Sequence, residues 1–101
     1  MSGVALITAR RDTIAELCRR YHVRELSLFG SALRSDFRAE SDLDLLVEFE
    51  PGARTGLLTL AALGRELGDL LERNVDLVPK LGLKPSIRGD VLARAEVVFA
   101  T

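Results

Sequence analysis

Two aspartates with one residue between them, Asp42 and Asp44, are the side chains whose type and spacing best suit chemistry. Apolar and polar residues alternate from residue 41 to residue 49, which predicts a β-strand with both carboxylates on one face. Side chains two residues apart on a strand have Cα atoms about 6.6 Å apart, so the two carboxylates can share a metal ion or a pair of ions. The same face continues with Leu46 and Glu48, and the opposite face is apolar: Leu43, Leu45, Val47 and Phe49.

The local charge indicates what binds there. Residues 36–50 contain six acids and one base, for a local charge of −5. Two unit charges roughly 4 Å apart repel by about 4 kcal/mol at an effective dielectric of about 20, so a cation, a basic partner or a raised pKa has to offset them. Carboxylate oxygens favour Mg²⁺ or Mn²⁺, and Mg²⁺ is commonly held by one or two carboxylates together with substrate phosphates. We therefore expect a divalent metal site that acts on a phosphorylated substrate.

Phosphate ligands are expected at Gly30 and Ser31. Residues 25–29 alternate and end at this pair, which predicts a strand, a turn and then a short helix beginning at Ser31. Free N–H groups at the start of a helix attract anions, and glycine lets a phosphate approach the backbone closely. A third acid, Asp76, lies on a short predicted strand at residues 75–78. If that strand pairs with residues 41–49, Asp76 completes the metal site or accepts the proton of an attacking hydroxyl.

The elements that must position these residues alternate along the chain in the order αβαβαβαβ. Helical spacing of apolar residues predicts three further helices, at residues 7–21, 57–73 and 85–95. Strands are predicted at residues 25–29, 41–49, 75–78 and 97–99. This order favours an α/β (α+β) fold with a single mixed sheet of about four strands and helices packed mainly on one face. With 101 residues and no repeat or linker, we expect one domain, residues 1–101.

Composition excludes several classes of protein. The net charge of −1 gives no reason to expect direct binding of DNA, RNA or an anionic membrane. No segment reaches the ~18 consecutive apolar residues of a membrane span, and the N-terminus lacks the apolar run of a signal peptide. A single cysteine, Cys18, forms no internal disulfide. The cytoplasm is the expected compartment.

Several other residues have simple structural interpretations. Cys18 and Tyr21 belong to the apolar stripe of the first helix and are expected in the core, and His22 is expected at the surface. The leucines of residues 57–71 are also expected in the core, and their excess suits a partner interface as well. Lys80 and Lys84 are interpreted as solvated loop lysines rather than contacts to a nucleotide or a partner.

The sequence resembles the GS-x10-DxD signature of the DNA polymerase beta-like nucleotidyltransferase superfamily. The signature is carried by Gly30-Ser31, ten intervening residues and Asp42-Leu43-Asp44, with Asp76 on a later strand. The likeness covers nearly the whole chain, is strongest to the minimal nucleotidyltransferases (MNT), and implies the palm-like fold of that superfamily. One position departs from the family: Ser35 stands where glycine is common, which affects the shape of the loop rather than the ligands.

This resemblance implies transfer of a nucleoside monophosphate, AMP from ATP or the corresponding group of another NTP, to an acceptor hydroxyl with loss of pyrophosphate. By the same resemblance Asp42 and Asp44 hold the metal ions, Mg²⁺ or Mn²⁺, and Asp76 completes the second metal site and helps to activate the acceptor. Gly30 and Ser31 bind the leaving phosphates. Arg34, one turn further along, reaches a phosphate.

The resemblance also implies a partner. Larger members of the superfamily attach domains that hold the acceptor, whereas 101 residues suffice for the catalytic core alone. Minimal nucleotidyltransferases of this kind are similar to the antitoxins of toxin–antitoxin modules, whose partner is a helical HEPN-domain ribonuclease, and adenylylation of a tyrosine of that toxin is the implied reaction. The alternative is an antitoxin of the same fold that neutralises its partner by contact alone. A small-molecule acceptor is disfavoured because the chain lacks a second lobe.

Overall fold

The computed structural model describes residues 3–33, 42–53 and 55–101 of the chain. Its centre is a four-stranded sheet of β1 (Val23–Phe29), β2 (Leu43–Phe49), β3 (Val75–Pro79) and β4 (Glu96–Ala100). The strand order is β3-β2-β1-β4. Strand β1 is antiparallel to β2 and to β4, and β2 is parallel to β3, so the predicted single mixed sheet is confirmed.

Four helices lie in the described part of the chain: α1 (Gly3–Thr8), α2 (Arg11–Arg20), α3 (Leu57–Leu71) and α4 (Pro85–Arg94). The prediction of a single helix over residues 7–21 is wrong, because the chain turns at Ala9 and Arg10 and a second helix, α2, begins at Arg11. Ile7 and Ile14 are both buried and stand seven residues apart, so the apolar pattern runs through the break without marking it. Two short 3₁₀ turns follow β1 and β3, at Gly30–Leu33 and Lys80–Gly82.

The hydrophobic core lies between one face of the sheet and helices α1 to α3. Strand β2 contributes Leu43, Leu45 and Val47, the face that alternation predicted to be apolar. Helix α2 packs on β1 and β4, and α3 packs on β3. The two helices contribute the buried residues Ile14, Leu17, Cys18, Leu63, Leu67 and Leu71. The predicted core positions of Cys18 and of the middle of the leucine stripe are therefore confirmed.

The opposite face of the sheet is covered at its centre. Leu46 and Ser27, which are paired across β1 and β2, are each only 3% exposed. The 3₁₀ turn at Lys80–Gly82 packs against β2, and Leu83 just after it is buried. Helix α4 has no buried residue of its own. The acids near the start of β2 and β3 therefore lie beyond this covered region, where solvent reaches the sheet.

Lys80 is an ion-paired residue of this face, which corrects its interpretation as a solvated loop lysine. Its Nζ lies 3.4 Å from Oε1 of Glu25 and 3.6 Å from Oε1 of Glu48. Glu25 and Glu48 are direct partners in the register of β1 and β2, and like charges in that position repel. Lys80 offsets this repulsion. The ion pairs could not be predicted from the local sequence, because the two glutamates are 32 and 55 residues away from Lys80. Lys84 is exposed at the start of α4, as expected.

None of the helices within the described residues is long and apolar enough to cross a membrane.

Candidate active site

The turn after β1 requires glycine for two reasons. Gly30 has φ +69, in the left-handed region that side chains with a Cβ seldom adopt. A Cβ added there would overlap the carboxylate of Asp44, standing 3.2 Å from its Cγ and 3.4 Å from its Cβ. The backbone at Gly30 and the side chain of Asp44 are therefore in direct contact, which joins two parts of the site predicted from the sequence.

Strand register brings Asp76 beside Asp44. Asp44 is paired with Phe29 on β1 and with Asp76 on β3. Neighbouring strands are about 4.8 Å apart, and paired residues of parallel strands point to the same face. Asp44 is half-buried and Asp76 is exposed. The condition placed on Asp76, that its strand pairs with the strand of the two aspartates, is met.

Asp42 lies just outside β2 rather than within it. The strand begins at Leu43, whose N–H donates to the carbonyl oxygen of Asn74 at 2.8 Å. This bond joins the first residue of β2 to the residue before β3, so Asp42 lies near the start of both strands, and it is exposed. The assigned strand starts one residue after Asp42, and strand alternation does not fix the direction of a side chain that precedes the strand. That Asp42 shares a face with Asp44 therefore stays a prediction.

Within residues 3–33, 42–53 and 55–101, no three acids, histidines or cysteines stand close enough together to hold a metal ion. The donor set nevertheless fits Mg²⁺ in its chemistry: all three candidate ligands are carboxylates, and two of them are anchored on paired residues of one face. An aspartate rotates about two side-chain bonds, so the carboxylates of Asp44 and Asp76, on paired residues of neighbouring strands, can reach a common point by a change of rotamer.

The phosphate-binding part of the prediction is only partly within the described residues. Ser31 lies in the 3₁₀ turn Gly30–Leu33, so a short helical turn is present where a short helix beginning at Ser31 was predicted. A 3₁₀ turn is tighter than an α-helical one. Arg34 and Ser35 lie outside the described residues.

Two residues of α2 and its C-terminus have shifted pKa values. Burial raises the pKa of the Cys18 thiol to about 12, so this cysteine is a core residue and not a nucleophile. Tyr21 is half-buried and its hydroxyl donates a hydrogen bond to Glu66 on α3, which raises the pKa of Tyr21. Tyr21 therefore links α2 to α3 instead of merely filling the core. His22 is exposed with φ 60, as expected for a surface residue at the end of a helix.

A groove of about 930 Å³ runs between α3 and β3 and was not foreseen from the sequence. Leu57, Leu60 and Leu77 line its apolar part, and its other end reaches Asn74 and Val75, next to Asp76. The leucine pattern of α3 was the available signal. The sequence indicated that the stripe exceeded what a core needs, but not which leucines stayed exposed.

The fold and the site together define a class of enzyme. Residues 10–98 match the family described as Nucleotidyltransferase domain, and the chain belongs to that family of nucleotidyltransferases. It is 40% identical over 95 residues to Protein adenylyltransferase MntA of Thermococcus cleftensis, covering 94% of this chain and 89% of that protein. The resemblance to minimal nucleotidyltransferases is thereby confirmed.

Solved structures agree with this assignment. One described as a minimal nucleotidyltransferase is 44% identical with a TM-score of 0.76, and the match covers 94% of each chain. A chain in the structure of tri-AMPylated Shewanella oneidensis HEPN toxin in complex with MNT antitoxin has a TM-score of 0.68 at 20% identity, covering 94% of this chain and 73% of that one. At that identity the second match shows the shared fold alone.

Proposed function

We propose that this chain, acting as one domain in the cytoplasm, is a Mg²⁺-dependent enzyme that transfers AMP from ATP to a hydroxyl of a HEPN-type partner protein and so serves as an antitoxin. The observation that carries the proposal is the register of Asp44 beside Asp76, with Gly30 packed against Asp44, in a chain of the nucleotidyltransferase family. The 40% identity to a protein adenylyltransferase supports a protein as the acceptor. The partner class is supported by the fold shared with an MNT antitoxin that binds a HEPN toxin.

In this proposal the chain's residues divide the work of an in-line displacement. Asp42, Asp44 and Asp76 hold Mg²⁺, which when bound neutralises charge on the transferred and leaving phosphates. The N–H groups of Gly30 and Ser31, together with Arg34, bind the phosphates of ATP. The oxygen of the acceptor hydroxyl bonds to the α-phosphorus of ATP as the bond from that phosphorus to pyrophosphate breaks. Asp76 accepts the proton that the hydroxyl loses. One AMP is added to the acceptor and one pyrophosphate leaves.

The proposal is tested by incubating the chain with a HEPN-domain partner, ATP and Mg²⁺ and weighing the partner by intact mass spectrometry. We expect one or more AMP adducts, abolished by EDTA and reduced at least 100-fold by Asp44→Asn or Asp76→Asn. Asp90→Asn is the matched control, because Asp90 is an exposed acid of α4 outside the site. It should leave transfer unchanged.

Two results would contradict the proposal. Transfer that persists in Asp44→Asn would show that the chemistry lies elsewhere. Neutralisation of the partner by Asp44→Asn as complete as by the parent chain would show that contact alone, and not catalysis, is the mechanism.

A further inference from the structure

Strand β3 is an edge strand whose outer side faces the groove. In the described part of the chain its one strand neighbour is β2. The outward-pointing N–H and C=O groups of an edge strand are a ready template for pairing with another chain. Helix α3 packs on the same strand from the core side. An extended segment that paired with β3 would therefore lie along α3 as well.

Residues of both β3 and α3 line the groove. Val75 and Leu77 contribute to its wall from β3, and Leu60, Ala61 and Gly64 contribute from α3. A Cβ at Gly64 would lie 3.8 Å from the Cβ of Leu77, so helix and strand are in close contact along the floor. Alternate side chains of an added strand, those on the same face as Val75 and Leu77, enter this groove. The part of the groove lined by Leu57, Leu60 and Leu77 calls for apolar side chains, whereas the part lined by Arg65, Asp69, Glu72 and Arg73 suits polar ones.

The intervening side chains of the same segment lie on the other face, with Asp76 and Asp44. A side chain level with Asp76 on a paired strand has its Cβ about 5 Å from that of Asp76. A Ser, Thr or Tyr hydroxyl at this position reaches the carboxylate.

Exposed apolar surface continues the groove at its far end. Leu57 is 84% exposed and lines the groove, and Leu58 is 88% exposed but does not. Both stand in the first turn of α3, so they offer a matched pair of positions for a test.

We propose that the groove and the edge of β3 bind an extended segment of the acceptor protein, with apolar side chains against Leu57, Leu60 and Leu77, and present its hydroxyl to Asp76. This inference rests on the proposed function, because it names the surface through which the acceptor reaches the site. The segment binds by main-chain pairing with β3 and by its apolar side chains in the groove, which is the recognised mode of β-strand addition.

The test compares Leu57→Glu with Leu58→Glu. Each adds one carboxylate to the first turn of α3, so their effects on the helix and its dipole are matched. Binding of the HEPN-domain acceptor is measured on the Asp44→Asn background, where affinity is separated from turnover. We expect Leu57→Glu to weaken binding at least tenfold and Leu58→Glu to change it less than twofold. Hydrogen exchange of the bound complex should show added protection at the amides of residues 75–78.

The outcomes separate this inference from the proposed function. Docking at β3 is contradicted if the two glutamate variants bind the acceptor equally, or if the added protection is confined to residues other than 75–78. If the parent chain still transfers AMP in that case, the proposed chemistry is unaffected. Protection of residues 75–78 and loss of binding in Leu57→Glu without any AMP transfer supports docking and contradicts the chemistry. Absence of binding contradicts both.

Discussion

Gly30 has one conformational and one steric reason to be glycine, and the two can be measured separately. Its φ of +69 strains any residue with a Cβ by about 1–2 kcal/mol. The overlap with Asp44 adds to this strain. Gly52 has φ +83, but a Cβ there would meet nothing within 4 Å. Gly52 thus shares the conformational strain and lacks the overlap.

We therefore expect Gly30→Ala to lower the free energy of unfolding by more than Gly52→Ala, by about 1 kcal/mol or above, because the Asp44 carboxylate has to move. Urea unfolding of both variants measures the difference. AMP transfer should be lost in Gly30→Ala and kept in Gly52→Ala. Equal destabilisation by the two substitutions would show that the Asp44 side chain moves away from residue 30 without loss of stability, which would contradict a fixed contact between them.

At the scale of elements, polar contacts to Glu66 connect the C-terminal end of α2 to α3. The Tyr21 hydroxyl donates to Glu66, and Arg20 lies 3.6 Å from the other oxygen of Glu66. Tyr21→Phe removes one hydrogen bond and keeps the ring. We therefore expect it to lower the free energy of unfolding by at most about 1 kcal/mol at neutral pH, measured by urea unfolding.

The pH dependence of this loss has a definite sign. The pKa of Tyr21 is raised above its ordinary value of 10.0 by the bond to Glu66, so the folded state favours the protonated phenol. The stabilisation is complete below about pH 10 and disappears as the pH rises through the folded pKa. The free energies of unfolding of parent and Tyr21→Phe should therefore converge above pH 10. A difference that grows with pH in that range would contradict the assigned donor and acceptor.

Lys80 holds the 3₁₀ turn after β3 to the pair Glu25 and Glu48. Lys80→Met keeps most of the side-chain volume and leaves two like charges facing each other. We expect the free energy of unfolding to fall by up to about 1 kcal/mol at low salt. This value is small because all three groups are partly exposed and solvent screens their charges. The loss should shrink in about 1 M salt, where the screening length is about 3 Å. Lys84→Met is the control, and an equal loss there would indicate a nonspecific effect of charge.

At the scale of the whole molecule, nucleotide binding is linked to folding stability. A ligand at about 100 times its dissociation constant stabilises the folded state by about 2.7 kcal/mol. We expect ATP with Mg²⁺ at millimolar concentration to raise the Tm by several degrees, and Asp44→Asn to lose most of this rise. Differential scanning fluorimetry is the measurement, with Asp90→Asn as the control. No rise in the parent chain would contradict a nucleotide site.

The sequence alone determined the residue types of the site and most of the elements that carry them. Alternation along residues 43–49 identified the buried face of β2, and the turn residues located β3 within one residue of its end. These signals are local, because the side-chain periods of a strand and a helix appear within a window of a few residues. For the same reason the break between α1 and α2 and the position of Asp42 outside β2 escaped prediction, since neither changes the pattern.

Only the tertiary structure decided which distant residues meet. The register placed Asp76 beside Asp44, the left-handed turn placed Gly30 against Asp44, and Lys80 reached two glutamates on other strands. The edge position of β3, and with it the groove against α3, also depends on the strand order. Strand order and register depend on contacts between residues tens of positions apart, whose free energies come from packing the whole core rather than from any single segment.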